Sequence, residues 1–228
     1  MIEIETVTSC VCVHCMDYLT EGTPDFKIKV TEDDIRQVFE CTETSQNAVN
    51  SEIVAVHQKI AEKLLDYNYI LMHGAVIAVG DKAYMFSAPS GTGKTTHIRL
   101  WLKNVNDSYV INGDKPLIKV AEDKLIACGT PWSGYERMNT NTMKPLEAIV
   151  FLERSESNFI EKISLSQAFP FLVQQTYIPK DKEKAKKVLS LLSQAYDKTT
   201  FWRFQCNNFK EDSFKKAYTA LVEKKIQP

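Results

Sequence analysis

The segment "AYMFSAPSGTGKTTHIRLW" (residues 83–101) contains three patterns in succession, and together they decide how the rest of the chain is interpreted. Its first six residues form a short apolar run, which is typical of a buried strand. A loop of small residues and glycines follows. After the loop, Ile98, Trp101 and Leu102 recur at a spacing that places them on one face of a helix. We therefore predict a strand, a tight loop and a helix.

The loop matches a Walker A pattern from Ala88 to Thr95, with alanine where the strict motif has glycine. Gly91 and Gly93 permit positive φ, so that successive N–H groups can point at one anion. Lys94 supplies a charge for the β- and γ-phosphates, the Thr95 hydroxyl can ligate Mg²⁺, and the N-terminus of the helix favours an anion. The alternative is a glycine-rich turn that only happens to contain Lys-Thr. We predict binding of ATP and Mg²⁺ through Ser90, Gly91, Thr92, Gly93, Lys94, Thr95 and Thr96.

An acidic residue is expected near this loop, because transfer of a phosphoryl group needs a metal partner and a base. Asp114 follows the predicted strand "YVIN" and is the first candidate. The alternative is that Asp114 only begins the turn Gly-Asp-Lys-Pro. Glu153 is the second candidate, but the adjacent Arg154 suggests an ordinary charged strand end.

The composition is that of a soluble globular protein, with 44% hydrophobic and 25% charged residues among 228. A net charge of −1 disfavours binding to nucleic acid through a large basic surface. No apolar run approaches the roughly 20 residues that span a bilayer, and the first residues lack the features of a signal peptide. We expect a cytoplasmic protein with neither a nucleic-acid nor a membrane partner.

The six cysteines are more often thiols than disulfides in a cytosolic chain. Cys10, Cys12, His14 and Cys15 place four soft ligands within six residues, but their spacing is unlike that of a usual zinc site. In a strand, Cys10, Cys12 and His14 would share one face. We expect a strand with buried or half-buried thiols, and a metal site is the alternative.

Hydrophobic periodicity predicts a mixed α/β chain without internal repeats. Residues 69–79 and 83–88 are separated by a short turn and should pair antiparallel. The remaining predicted strands cover residues 1–19, 26–30, 108–112, 116–120, 124–128, 146–153 and 201–206, and the predicted helices cover 51–68, 94–104, 164–176, 182–196 and 212–225. We expect one α/β sandwich domain over residues 1–228, with a β-rich portion (1–50), a catalytic core (69–206) and a C-terminal helix (207–228).

The stretches "LMHGAVIAVGDKAYMFSAPSGTGKTTHIRLW" (71–101) and "VINGDKPLIKV" (110–120) resemble the catalytic domain of HPr serine kinase/phosphorylase and its kinase relatives. The loop is also similar to that of ATP-dependent phosphoenolpyruvate carboxykinase. The resemblance implies the mixed-sheet fold of that group, use of ATP and Mg²⁺, and self-association into a homo-oligomer. By position it implies that His73 and Asp114 are catalytic and that Thr95 and Asp114 hold the metal.

Two features of the sequence qualify that resemblance. A lone histidine inside an apolar strand, as His73 is, is more often a core residue than a catalytic one. The acidic pair of the family is reduced here to Gly113-Asp114, so that one carboxylate would have to replace two, or Glu153, Glu136 or the substrate would supply the other.

Residues 129–145 form a long segment with few aliphatic residues, and loops of this length are usually functional or mobile. Lys144 is a candidate phosphate contact, and Arg203 is a weaker candidate elsewhere. The alternative is that these are ordinary loop and strand residues. The possible substrate contacts in this loop are Trp132, Tyr135, Glu136 and Arg137.

Three functions remain open. The first is a P-loop kinase that transfers phosphate to a hydroxyl group, either a serine of a small protein or peptide or a small molecule. The second is a nucleotide-binding regulatory module with weak or no catalytic activity, which the reduced acidic pair favours. The third is an enzyme similar to phosphoenolpyruvate carboxykinase, although 228 residues leave little room for a large substrate domain.

Overall fold

The computed structural model describes residues 1–41, 48–195, 197–207 and 210–223. The chain divides into two compact units, Met1–Tyr67 and Asn68–Pro228. Both units contain strands and helices, so the chain is mixed α/β. That the two form a single kinase-like domain stays a prediction.

Where the structure describes it, the first unit contains a two-stranded parallel sheet and three helices. The strands β1 (Ile2–Glu5) and β2 (Phe26–Lys29) pair in parallel. The helices are α1 (Cys10–His14), α2 (Glu32–Cys41) and α3 (Ala48–Leu64), with 3₁₀ turns at Met16–Tyr18 and Leu65–Tyr67. The expected β-rich portion over residues 1–50 is therefore wrong, because α1 and α2 together are longer than the two four-residue strands.

Cys10, Cys12 and His14 lie in helix α1, and Cys15 is its C-cap, so the predicted strand is wrong here. Val11 and Cys15 are the buried residues, at 2% and 7% exposure, and a separation of four residues is the spacing of one helical face. Val7 and Thr8 lie just before this helix, and their backbone N–H groups donate to the buried carboxylate of Glu52 in α3, at 2.6 and 3.1 Å. Among the residues that the structure describes, no group of three or more His, Cys, Asp or Glu side chains could hold a metal ion.

The second unit is built on a nine-stranded mixed sheet, covered by helices. Strand order is β3-β7-β8-β9-β5-β4-β6, and β11 and then β10 extend from β9. The strands are β3 (Tyr69–Leu71), β4 (Ala75–Val79), β5 (Lys82–Ser87), β6 (Tyr109–Asn112), β7 (Leu117–Val120), β8 (Leu125–Cys128), β9 (Met143–Arg154), β10 (Phe159–Ile163) and β11 (Thr200–Cys206). The helices are α4 (Lys94–Asn104), α5 (Leu165–Gln174), α6 (Lys182–Ser193) and α7 (Glu211–Leu221).

Strand β9 lies at the centre of this sheet. It runs parallel to β5 and β11 and antiparallel to β8. Its residues Ile149, Val150, Phe151 and Leu152 are all at most 3% exposed, as expected for a strand covered on both faces. The loop between β5 and α4 (residues 88–93) is called the glycine loop. Because β5 and β9 are parallel, this loop and the end of β9 at Arg154 lie at the same edge of the sheet.

Helix α4 fixes the glycine loop to the core. Its buried residues are Lys94, His97, Ile98 and Trp101, which follow the i, i+3, i+4, i+7 spacing of one helical face. The Trp101 ring packs 5.7 Å from Tyr84 of β5 and 5.5 Å, edge to face, from Phe214 of α7. The strand–loop–helix prediction is confirmed, but Leu102 is 37% exposed, and His97 completes the buried face instead.

The predicted strand over residues 69–79 is broken into β3 and β4. Strand β3 pairs with β7, whereas β4 forms the predicted antiparallel hairpin with β5. Between them, His73 N–H donates to the Gln175 carbonyl (2.7 Å) and Gly74 N–H to the Asp114 carbonyl (2.8 Å). The break places His73 beside other chain segments instead of within a sheet.

Other predicted elements have shifted ends. The β7–β8 hairpin is confirmed, and β9 begins at Met143, so that the long loop is shorter than predicted. The C-terminal helix is described as Glu211–Leu221, and its predicted extension over residues 224–225 lies outside the described residues. Within the described ranges, none of the helices has the length and apolar character needed to cross a membrane.

Candidate functional site

The glycine loop folds around its own lysine. Lys94 is 7% exposed, and its Nζ donates to the carbonyls of Ala88 (2.8 Å) and Pro89 (3.3 Å). Gly91 (φ 76°) and Gly93 (φ 113°) adopt left-handed backbone conformations, which residues with a Cβ rarely adopt. Gly93 is the N-cap of α4. The result is a curled loop that leads into the N-terminus of an 11-residue helix.

Arg154, at the end of β9, holds the loop from one side. Its guanidinium donates to the carbonyl of Gly91 and, at 3.4 Å, to that of Thr92. In a trans peptide the carbonyl and the following N–H point in opposite directions. The N–H of Gly93 therefore points away from Arg154. The sequence predicts only an ordinary charged strand end at Arg154. The contact with the loop could not be predicted, because it depends on the pairing of β9 with β5.

His73 and Asp114 form a pair. The distance from His73 Nε2 to Asp114 Oδ1 is 3.3 Å, and both side chains are 30% exposed. Ser87, the last residue of β5, donates from Oγ to the His73 carbonyl at 2.7 Å. The two predicted catalytic residues are thus brought together at the end of the strand that leads into the glycine loop.

Asn112 positions Asp114, and sequence reasoning missed it. Its side chain is fully buried, and its Oδ1 accepts from the backbone N–H groups of Asp114 (2.9 Å) and Lys115 (2.7 Å). Its Nδ2 donates to Thr130 Oγ1 (2.8 Å) and to the Thr130 carbonyl (3.1 Å). An asparagine whose side chain accepts from the backbone N–H two residues further on commonly forms a turn, and the sequence "NGDK" (residues 112–115) indicates such a turn.

Asp114 and Lys94 influence each other. Burial alone would raise the pKa of Asp114, but the hydrogen bond from His73 and the charges of Lys115, His73 and Lys94 outweigh it and lower the pKa. Burial lowers the pKa of Lys94, and the carboxylate of Asp114 partly opposes that shift. The Asp114 carboxylate is therefore ionised at neutral pH and shares one electrostatic environment with the loop lysine.

The position before Asp114 packs tightly against the backbone of the long loop. A Cβ at Gly113 would lie 3.1 Å from the Ser133 carbonyl oxygen and 3.3 Å from that of Met138. Gly134 (φ 80°) also packs here, since a Cβ on it would lie 3.0 Å from Asp114 Cβ. The backbone of the long loop would thus have to shift by a few tenths of an ångström to admit a larger residue at position 113.

Two other predicted residues are engaged elsewhere. Glu153 accepts both guanidinium bonds of Arg203, at 2.9 and 2.8 Å, and this hydrogen bonding lowers the pKa of Glu153. Lys144 pairs with Asp81 at 3.2 Å. Asp81 precedes the six-residue strand β5 and the glycine loop follows it, so the two ends are about 17 Å apart. Lys144 as a phosphate contact is therefore wrong.

The predicted substrate loop is tied to α4 and to Asn112. Glu136 forms an ion pair with Arg99 of α4, and the Trp132 carbonyl accepts from Asn112 Nδ2 at 3.3 Å. Tyr135 is fully exposed, at 106%, and Arg137 is also exposed. Contact of these residues with a substrate stays a prediction.

Comparison with known proteins gives little further information. No family model matches the chain, and no curated protein matches it. Among solved structures, the Hpr(Ser) kinase/phosphatase from Coxiella burnetii matches over 54% of this chain and 88% of that chain, with 9% identity and a TM-score of 0.31. The similarity is distant at these values and does not determine an activity.

Proposed function

We propose that this protein is an ATP- and Mg²⁺-dependent phosphotransferase that phosphorylates a hydroxyl group, in a fold of the HPr kinase type. The acceptor would be a serine of a small protein or peptide, or a small molecule. The observation that carries the proposal is the grouping of three predicted residues. His73 lies 3.3 Å from Asp114, and the charge of Asp114 acts on the buried Lys94 of the glycine loop.

The loop residues fit a polyphosphate. Two left-handed glycines, a buried ammonium group and the N-terminus of α4 form an arrangement suited to an anion. Residues 90–96 would hold the nucleotide, with Lys94 against the β- and γ-phosphates. Thr95, half-buried in the first turn of α4, and Asp114 would hold Mg²⁺. When bound, the metal would neutralise charge on the phosphates.

Asp114 is the proposed base. Its carboxylate is ionised at neutral pH and can accept the proton of the acceptor hydroxyl, although its lowered pKa makes it a weaker base than an ordinary aspartate. His73 Nε2 faces Oδ1 and orients the carboxylate. Partial burial of both side chains strengthens these interactions, because the local dielectric is lower than that of water.

The second candidate is a nucleotide-binding regulatory module without kinase activity. Gly113 favours it, because the second acid is absent and a side chain at that position would press on the carbonyl oxygens of Ser133 and Met138. With Asp114 as a single carboxylate, metal binding would depend more strongly on the nucleotide. Such a module would bind Mg²⁺–ATP without turning it over.

Turnover of Mg²⁺–ATP, followed as ADP release with and without a library of serine peptides, distinguishes the two candidates. A kinase transfers the γ-phosphoryl group to a peptide or, more slowly, to water, and Asp114→Asn reduces the transfer by about 100-fold or more. Lys103→Ala, an exposed change on the same helix as Lys94, serves as the control. Nucleotide binding without turnover in either assay would favour the regulatory module.

A further inference from the structure

Gln175 lies directly after α5 and contacts His73 through its backbone. It is 6% exposed, and its carbonyl accepts the His73 N–H at 2.7 Å. On either side, Met72 and Thr176 form an antiparallel bridge, and Tyr177 N–H donates to the Leu71 carbonyl at 2.9 Å. The chain after α5 therefore runs antiparallel to residues 71–73 and fixes the backbone that carries His73.

The Gln175 side chain adds a second contact, to the histidine ring itself. Its Oε1 is 3.0 Å from His73 Nδ1, while the other ring nitrogen, Nε2, is 3.3 Å from Asp114 Oδ1. A ring held at both nitrogens has one orientation. A glutamine amide suits this position, because it offers both an acceptor and a donor and can partner Nδ1 with or without a proton.

We propose that Gln175 is a positioning residue that holds the His73 ring so that Nε2 faces Asp114. The inference rests on the proposed function, since it assigns a role within the same site. Gln175 does not reach the nucleotide or the acceptor in this scheme, and it acts only through His73. Its neighbour Gln174 is exposed and provides a matched control.

The test compares Gln175→Met with Gln174→Met in the full chain, without any ligand. Methionine is unbranched and close to glutamine in shape, but it is a poor hydrogen-bond partner. The measurement is the two-bond ¹H–¹⁵N spectrum of the His73 ring at one neutral pH, assigned with His73→Asn. We expect the Nδ1 and Nε2 signals to change in Gln175→Met and to match those of the native protein in Gln174→Met. Unchanged His73 signals in Gln175→Met would overturn the proposal.

Gln175→Glu is the second variant, because its carboxylate keeps an oxygen opposite Nδ1 but can only accept a hydrogen bond. It should therefore hold the proton on Nδ1 and change the His73 ring signals, whereas Gln174→Glu should leave them native. If Gln175→Met does not fold, this variant alone decides, and native His73 signals in Gln175→Glu would contradict the contact between residue 175 and the ring.

Turnover separates this inference from the proposed function. We expect kcat for ADP release from Mg²⁺–ATP to fall about tenfold or more in Gln175→Met, with KM for ATP unchanged, as for the loss of a transition-state interaction. A changed ring spectrum with native turnover would support the positioning by Gln175 and contradict a catalytic role for His73.

Discussion

At the scale of single residues, the site depends on one carboxylate and the groups that hold it. Asp114 is fixed by Asn112 through its backbone and faces His73 through its side chain. The motif around Asp114 was visible in the sequence, because it lies within a few residues of a predicted strand end. Gln175 could not be predicted, since its contact with His73 joins residues 102 positions apart. For Asn112, "NGDK" indicates the local turn, but the contact of its side chain with Thr130, 18 positions away, has no local signal.

Replacing Asp114 should separate binding from chemistry. We expect Asp114→Asn to reduce turnover of Mg²⁺–ATP by about 100-fold or more, the range over which a general base contributes. Stabilisation by Mg²⁺–ATP should weaken but persist, because Lys94 and the loop are unchanged while one proposed metal ligand is lost. Steady-state kinetics and thermal unfolding with Mg²⁺–ATP measure the two effects. Native turnover in this variant would exclude Asp114 as the base.

Restoring an acid at position 113 should not restore a second metal ligand. We expect Gly113→Asp and Gly113→Ala to destabilise the protein alike, by about 1–3 kcal/mol, because the added Cβ approaches two carbonyl oxygens. Urea unfolding measures the loss. Full stability together with increased turnover in Gly113→Asp would show that the position has room for an acid.

At the scale of elements, strand β5, the glycine loop and helix α4 were predictable because their pattern is local. Helix α1 was not predicted, because "CVCVHC" also suits an alternating strand, and the choice depends on the burial of Val11 and Cys15. The break between β3 and β4 was likewise not predictable. It depends on the backbone bonds of His73 to Gln175 and of Gly74 to Asp114.

Helix α4 contains a histidine whose neutral form stabilises the fold. His97 Nε2 accepts from Trp101 Nε1 at 3.1 Å, and burial lowers the pKa of His97 to about 3. The unfolded chain binds this proton near pH 6.5, so the unfolded state takes up more protons below that pH. The neutral His97 therefore makes its full contribution to the free energy of unfolding above about pH 6.5. That contribution is lost as the pH falls toward 3, by up to about 1.4 kcal/mol per pH unit.

Unfolding free energies of the native protein and His97→Gln over pH 4–8 test this expectation. Glutamine keeps an acceptor for Trp101 but does not titrate. Below pH 6.5, the slope of the unfolding free energy with pH should therefore be smaller in the variant by the amount that corresponds to about one bound proton. Equal slopes in the two proteins would show that His97 does not remain neutral in the folded state.

Strand β9 should support the loop through Arg154. We expect Arg154→Met to weaken binding of Mg²⁺–ATP several-fold, because the carbonyls of Gly91 and Thr92 lose their donor and the loop loses its curled form. Titration calorimetry measures the affinity, and Arg36→Met, an exposed change in the first unit, is the control. Native affinity in Arg154→Met would show that the loop keeps its shape without this contact.

At the scale of the whole molecule, the site is assembled from distant parts of the second unit. Residues 73 and 114, the loop after β5, the end of β9 and the end of α5 contribute to it. The mixed α/β class was predictable from periodicity. The strand order was not, because the pairing of β9 with β5, β8 and β11 joins segments that no local pattern connects.

The proposed function depends on binding of nucleotide phosphates by the glycine loop, which calorimetric titration of the purified chain with Mg²⁺–ATP measures. We expect saturable binding to the native protein and to Lys103→Ala, and loss of binding in Lys94→Ala. Binding to Lys94→Ala with native affinity, or no binding to the native protein, would contradict it.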